Sequence, residues 1–330
     1  MTTPEKVWNR IFSLGSKNEF NEIAIELYGW HYENNLVFRK FSDFTGRNPK
    51  NTLVASEIPC LPVNLFRYHR ILPVGFKAIR HFETSGTTSG ETGKHYIADE
   101  DLYLKSAMQT FNLFYGNIDE YVILALLPGY LERQNSSLIF MVNQWIESSK
   151  HSDSGFYLSE HEKLFRTLKK LQKAKQKTIL LGVTHALVDF AEHYKIDFPE
   201  LIVMETGGMK GRREELSREE LHRLLKPAFG VKSIHSEYGM TELLSQAYSK
   251  GDGVFRCPPW MRVFLRDNND PLSAPENKKN GAINIIDLAN MYSCPFIATD
   301  DTGILYDDGS FEINGRLDFS IIRGCSTMIK

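Results

Sequence analysis

The sequence predicts an α/β protein: a parallel-rich sheet covered by helices, followed by a small β-rich part. Three observations predict it. Between about residues 75 and 245, short apolar runs alternate with segments of helical periodicity. The runs 121–127, 178–182 and 201–205 are apolar nearly throughout, as strands buried on both faces are. After residue 252 the texture changes to short strands between turns rich in Asp, Asn, Gly and Pro.

Taken in order, residues 1 to about 45 read as helical, with Val7, Ile11, Phe12, Phe20, Ile23, Ala24 and Leu27 on one apolar stripe. The segment Ile58-Pro59-Cys60-Leu61-Pro62-Val63-Asn64-Leu65-Phe66 carries two prolines and must be extended or turn-like. Buried strands are expected at 121–127, 178–182, 201–205 and 231–235, with helices at 102–115, 136–148, 162–174, 185–194 and 218–228. Short strands at 263–265, 282–286, 304–305 and 311–313 complete the pattern. This divides the chain into a helical segment packed on the core (1–75), an α/β core (76–250) and a β-rich subdomain (251–330). Ligands of such a sheet sit at the carboxyl ends of its strands.

Composition narrows the function. A chain of 330 residues buries about three quarters of its unfolded surface, enough for a rigid enzyme. With 39 basic against 41 acidic side chains, bulk charge drives neither nucleic-acid nor anionic-membrane binding. The basic run 163–177 has Leu164, Phe165, Leu168 and Leu171 at helical spacing and reads as a solvated helix face. Cys60, Cys257, Cys294 and Cys325 lie far apart, without zinc spacing or disulfide density. The N-terminus opens an amphipathic helix rather than a signal peptide, and the longest apolar stretch, 122–128, is too short to span a bilayer. A cytoplasmic location with no membrane span is the expectation.

Three segments carry chemistry. Residues 84–94, Thr-Ser-Gly-Thr-Thr-Ser-Gly-Glu-Thr-Gly-Lys, offer hydroxyls, amides and close backbone approach to an anion. The segment is no Walker A loop, because Thr88 stands where that motif needs glycine. A polar turn is the alternative reading. In Tyr238-Gly239-Met240-Thr241-Glu242, the tyrosine offers a flat face to a base and Gly239 permits a tight turn. Thr241 offers a hydroxyl and Glu242 a hard oxygen for Mg²⁺. Alternatively, Thr241 caps a helix running through Leu243, Leu244 and Ala247. Near the end, Arg323-Gly324-Cys325 puts a cation beside a thiol, which lowers its pKa. His185 and Asp189 share one helix face and read as part of an ordinary helix. His235 and Glu237 share one side of an extended run by periodicity alone, and Glu205 belongs to a pocket wall or a structural hydrogen bond.

The segments 84–94, 238–242, Thr299-Asp300-Asp301-Thr302-Gly303 and Gly315-Arg316-Leu317-Asp318 resemble, in order, the motif series of adenylate-forming enzymes. A finer resemblance is to the acyl-protein synthetases of bacterial bioluminescence operons. It rests on 58–66, on Met204-Glu205-Thr206-Gly207-Gly208-Met209-Lys210-Gly211-Arg212-Arg213, on 235–245 and on 323–325. The phenylacetate-CoA ligases resemble it more distantly. The resemblance implies the large N-terminal domain of that superfamily, with layered parallel-rich sheets and a small β-rich subdomain, and without the C-terminal small domain. It implies ATP and Mg²⁺ as cofactors. Ser85, Gly86, Thr87, Thr88 and Gly90 would wrap the β- and γ-phosphates, with Lys94 closing the loop. Gly207 and Gly208 would line the adenine and acyl pocket, and Tyr238 would stack on adenine. Thr241 would contact the α-phosphate and Glu242 would ligate Mg²⁺. Asp301, with Asp300 where relatives carry glycine, would accept from the ribose, and Arg316 would reach the ribose or phosphate. Asp318 would sit at the hinge position. Cys325 would take the acyl group and pass it to an acyl-accepting protein, a reductase or carrier. Two further readings stay open: a CoA ligase whose second domain is supplied in trans, and a non-catalytic nucleotide-binding partner of an acyl reductase or transferase complex.

Overall fold

A computed structural model describes residues 4–84, 92–129, 135–207, 216–270, 272–275 and 279–317. The chain opens with helices α1 (Pro4–Trp8), α2 (Lys17–Asn34) and α3 (Leu36–Phe44), and Val7, Ile11, Phe20, Ile23, Ala24 and Leu27 of the expected stripe are buried. A capping box between Ser16 and Glu19 starts α2. The proline-bearing segment forms a two-residue strand, β1 (Leu61–Pro62), and one helical turn, α4 (Leu65–Tyr68). An antiparallel hairpin follows, β2 (Arg80–Glu83) with β3 (Lys94–Ile97), where the sequence reading had no strands. Helix α5 (Glu100–Tyr115), capped by Asp99, leads into the core.

The core sheet contains β4 (Val122–Leu126), β5 (Gly155–Phe156), β6 (Thr178–Val183), β7 (Ile202–Thr206), β8 (His235–Tyr238) and β9 (Ala247–Ser249), in the order β5-β4-β6-β7-β8-β9. Strands β4 to β8 pair in parallel and β9 returns antiparallel. Helices α6 (Ser137–Ser149), α7 (His161–Ala174), α8 (Thr184–His193) and α9 (Arg218–Phe229) make the crossovers. Every residue of β4 and β6 is buried, which is why their sequences are apolar without alternation.

The second sheet contains β10 (Met261–Arg266), β11 (Asn280–Asp287), β12 (Phe296–Leu305) and β13 (Phe311–Arg316), with β1 added in parallel to β12. Two expectations need correction. The strand expected at 231–235 begins at His235, so Tyr238 ends the strand instead of following it. The strand expected at 304–305 is the tail of the ten-residue β12, which absorbs the whole 299–303 motif. The first helices pack on the connection from β11 to β12 and on Phe296, the first residue of β12: His31 Nε2 lies 3.0 Å from the Met291 carbonyl, Asn35 Nδ2 donates to the Ser293 carbonyl at 3.0 Å, and Tyr28 and Phe38 meet the Phe296 ring. Among the described residues no helix is long and apolar enough to cross a membrane.

Candidate active site

The β2–β3 hairpin brackets the hydroxyl- and glycine-rich segment. Its neck is closed by two bonds: Thr84 N–H donates to the Gly93 carbonyl at 3.0 Å, and Gly93 N–H to Thr84 Oγ1 at 2.9 Å. Lys94 opens β3, half-exposed and 3.7 Å from the Glu83 carboxylate. Of the expected site, Ser85, Gly86, Thr87, Thr88, Gly90, Gly208, Asp318 and Cys325 lie outside the described residues.

The segment between β8 and β9 is held by side chains from elsewhere. Asp287, fully buried at the end of β11, accepts from the N–H groups of Leu244 at 2.8 Å and Ser245 at 2.9 Å, and from the Ser245 hydroxyl at 2.6 Å. Asn290 donates from Nδ2 to the carbonyls of Glu242 at 2.8 Å and Cys294 at 2.9 Å. His95, from β3, donates from Nδ1 to the Thr241 carbonyl at 2.8 Å. Thr241 therefore caps no helix. The backbone groups a helix would need are claimed by Asp287, Asn290 and His95, and the chain turns directly into β9. His95 Nε2 faces Asn290 Oδ1 at 3.0 Å, so both ring nitrogens face acceptors. Only the doubly protonated ring satisfies both, whereas burial pulls its pKa down to about 4. Turning the Asn290 amide over would cost its two carbonyl bonds.

Tyr238 joins this segment to the second sheet. Its ring packs against Phe255 and Phe311, with centroids 5.8 and 5.7 Å away. Its hydroxyl donates to Asp301 Oδ2 at 2.8 Å, and Arg316 Nε donates to Asp301 Oδ1 at 3.1 Å. Asp301 and Arg316 are register partners across β12 and β13. Burial, and then the neighbouring Asp301 charge, hold the Tyr238 phenol well above its ordinary pKa.

Glu242 is 5% exposed, and burial lifts its carboxyl to about 7; Arg67 and Arg316 pull it down, Asp300 pushes it up. Behind it, Glu237 accepts from the Thr206 hydroxyl and is likewise lifted by burial to about 7. A Cβ on Gly239 would press on that Glu237 carboxylate, so a side chain there would have to displace it. Gly207 follows β7, whose last residue, Thr206, lies opposite Glu237, and the Gly207 carbonyl accepts from the Thr184 hydroxyl. Glu205 sits buried, accepting from the same Thr184 hydroxyl at 3.4 Å. His235 and Glu237 form no base dyad: His235 Nδ1 lies 3.2 Å from the Tyr115 hydroxyl, and burial lowers its pKa to about 4. Burial also raises the thiols of Cys60 (to about 12), Cys257 and Cys294, Cys257 being only half-buried. Surface clefts along α7, lined by His161, Arg166 and Tyr194 or by Phe165, Lys169 and Lys173, touch none of these residues.

The structure thus gathers Tyr238, Gly239, Thr241, Glu242, Asp301 and Arg316 along the contact between the carboxyl end of β8 and the second sheet, whereas Lys94 pairs with Glu83 on the face of β3 opposite His95. Sequence reasoning missed His95, Asn290 and Asp287, which hold the site together, and Arg67, which faces it. A signal existed for His95: in Lys94-His95-Tyr96-Ile97, alternation sets His95 on the same face as Ile97, and both are buried.

No protein-family model matches the sequence. The chain is 22% identical to the long-chain-fatty-acid–luciferin-component ligase of Aliivibrio fischeri, over 99% of this chain and 90% of that protein. Among solved structures it is similar to a 2-hydroxyisobutyryl-CoA ligase, with a TM-score of 0.67 at 13% identity over 92% of this chain and 70% of the other. It is also similar to MatB of Rhodopseudomonas palustris, with a TM-score of 0.51 at 15% identity over 72% of this chain; the match spans about half of MatB, 47%. The chain has the α/β fold seen in the N-terminal domain of adenylate-forming ligases.

Proposed function

We propose that the protein activates a carboxylic acid with ATP, forming an acyl adenylate and pyrophosphate. One observation supports this reading: His95 ties the hairpin that brackets the hydroxyl- and glycine-rich segment to the Thr241 backbone. In this reading Tyr238 presents its ring to adenine while its hydroxyl aligns Asp301 for the ribose, and Arg316 adds a cation beside it. The Thr241 hydroxyl donates to the α-phosphate, and Lys94 stands at the phosphate end. The donor set suits magnesium, which is commonly held by one or two carboxylates together with substrate phosphates, and Glu242 supplies such a carboxylate. Glu242 would hold such an ion as a carboxylate, although burial lifts its carboxyl to about 7 without one, and a bound ion would supply neutralisation of phosphate charge. The residues then do little covalent chemistry; they position the reactants and stabilise charge.

For the acyl acceptor, similarity to a CoA ligase over 92% of the chain supports CoA. Capture on Cys325 and transfer to a partner protein is the second reading. It is supported by the similarity to the A. fischeri fatty-acid ligase and by the cation and glycine preceding the thiol. A cytoplasmic location belongs to the same proposal. The test is acid-dependent ATP–pyrophosphate exchange with a panel of acids, followed by intact-mass analysis with and without CoA. Absence of exchange with every acid sinks adenylation. A free acyl-CoA names the first acceptor, and a protein adduct lost in Cys325→Ser names the second.

A further inference from the structure

The single-turn helix α4 is fixed from two sides. Just before it, β1 runs parallel to β12, with Pro62 opposite Ala298, and the Val63 N–H donates to the Ala298 carbonyl at 2.9 Å. That point is two residues ahead of Asp300. On the other side, buried Phe66 sets its ring edge-on to His95, centroids 5.7 Å apart. The turn is thus pinned both to the strand carrying Asp300 and Asp301 and to the histidine that holds Thr241.

Arg67 follows Phe66 on the same turn. It is exposed, and its Cγ would lie 3.4 Å from a Cβ built on Gly93 at the hairpin neck. Its charge acts on both Glu242 and Asp300. Among the described residues no direct ion pair occupies its guanidinium. A rigid base thereby carries a cation with five donors to the hairpin neck, within electrostatic reach of the Glu242 carboxyl and of Asp300 in the middle of β12.

We propose that Arg67 is a substrate-binding residue whose guanidinium grips the polyphosphate of ATP and the pyrophosphate as it departs. The inference rests on the adenylation reading. In that step a carboxylate oxygen of the acid bonds to the α-phosphorus, while the bond from that phosphorus to the oxygen bridging to the β-phosphate breaks. The electron pair leaves with pyrophosphate, so negative charge grows on the β-phosphate oxygens. A forked guanidinium meets two such oxygens at once.

The experiment measures binding of ATP and of AMP, each with magnesium, to the full chain and to Arg67→Gln and Arg67→Lys, with the unfolding transition of each as a folding control. Arg67→Gln is expected to weaken ATP roughly ten- to hundredfold and to leave AMP within about twofold. Arg67→Lys recovers part of the ATP affinity. Equal losses for ATP and AMP, or unchanged ATP affinity, would overturn the proposal and reduce Arg67 to a counter-charge for Glu242 and Asp300. If the wild-type chain binds neither nucleotide, the adenylation reading falls first, and the role of Arg67 falls with it.

Discussion

The imidazole of His95 donates to the backbone carbonyl of Thr241 across 2.8 Å, although 146 residues separate them in the chain. One residue follows Lys94, which ends the hydroxyl- and glycine-rich segment; the other belongs to the Tyr238–Glu242 cluster. Through Asn290 the same ring is linked to the Glu242 carbonyl, so the hairpin, the β8 end and the loop after β11 form one hydrogen-bonded unit.

Removing that ring should loosen the whole unit. His95→Ala strands the buried Thr241 carbonyl and leaves a hole against Phe66. The expected cost is about 2–4 kcal/mol in urea denaturation. Pyrophosphate exchange should fall at temperatures where the variant is still folded. A cost under about 1 kcal/mol would show that the bridge is not what joins the two motifs.

Tyr238 and Asp301 should be energetically coupled. Tyr238→Phe keeps the ring between Phe255 and Phe311 but deletes the 2.8 Å bond to the carboxylate. Hydrogen bonds to charged groups are worth about 1.5–3 kcal/mol net. A double-mutant cycle with Asp301→Asn should return a coupling of about 1–2 kcal/mol in stability. A coupling indistinguishable from zero would mean that this contact does not join β8 to the second sheet.

What could be read from the sequence depended on how each residue reaches the interior. Strands β4 and β6 are legible because every position is buried and, Thr178 apart, none is polar. The β2–β3 hairpin is not, since Arg80-His81-Phe82-Glu83 and Lys94-His95-Tyr96-Ile97 are mostly polar and His95 is buried by hydrogen bonding rather than by apolarity. Val231 and Ile234 misled for a different reason. They are buried, as their chemistry demands, but as chain leaving α9, where the Val231 N–H caps the Lys226 carbonyl. Within the site, residues that would touch a nucleotide carry a recognisable motif. Asp287, Asn290 and His95, which hold those residues, do not, because any donor or acceptor of the right reach could serve from any element.

Glu237 sets a pH dependence of stability. Burial lifts its carboxyl from an ordinary 4.5 to about 7, so the folded state favours the protonated acid. Its contribution is fully present below about pH 4.5 and is lost as pH rises through about 7, a difference of up to about 3 kcal/mol. Glu237→Gln keeps an acceptor for Thr206 and does not titrate. The variant should match the wild type near pH 4.5 and become progressively more stable than it toward pH 7.5, measured by urea titration at each pH. A stability difference that does not change with pH would mean that this carboxyl is not held above its ordinary range.

Two glycines of the same β-rich region should respond to alanine for different reasons. At Gly303, where β12 meets the register shift with β13, an added Cβ would strike the Glu312 carbonyl oxygen and lie 3.0 Å from Ile283 Cδ1. A backbone oxygen cannot swing aside, so Gly303→Ala must push β13 outward and pull Arg316 from Asp301, at a cost of about 3 kcal/mol or more. Gly309, in the turn between β12 and β13, has φ of +87° and open space around its Cβ position. There the penalty is conformational alone, about 1–2 kcal/mol. Urea denaturation of the two variants should therefore separate them, with Gly303→Ala the more damaging. Equal costs would mean that β13 is not pressed against β12 at the position that brings Arg316 to Asp301.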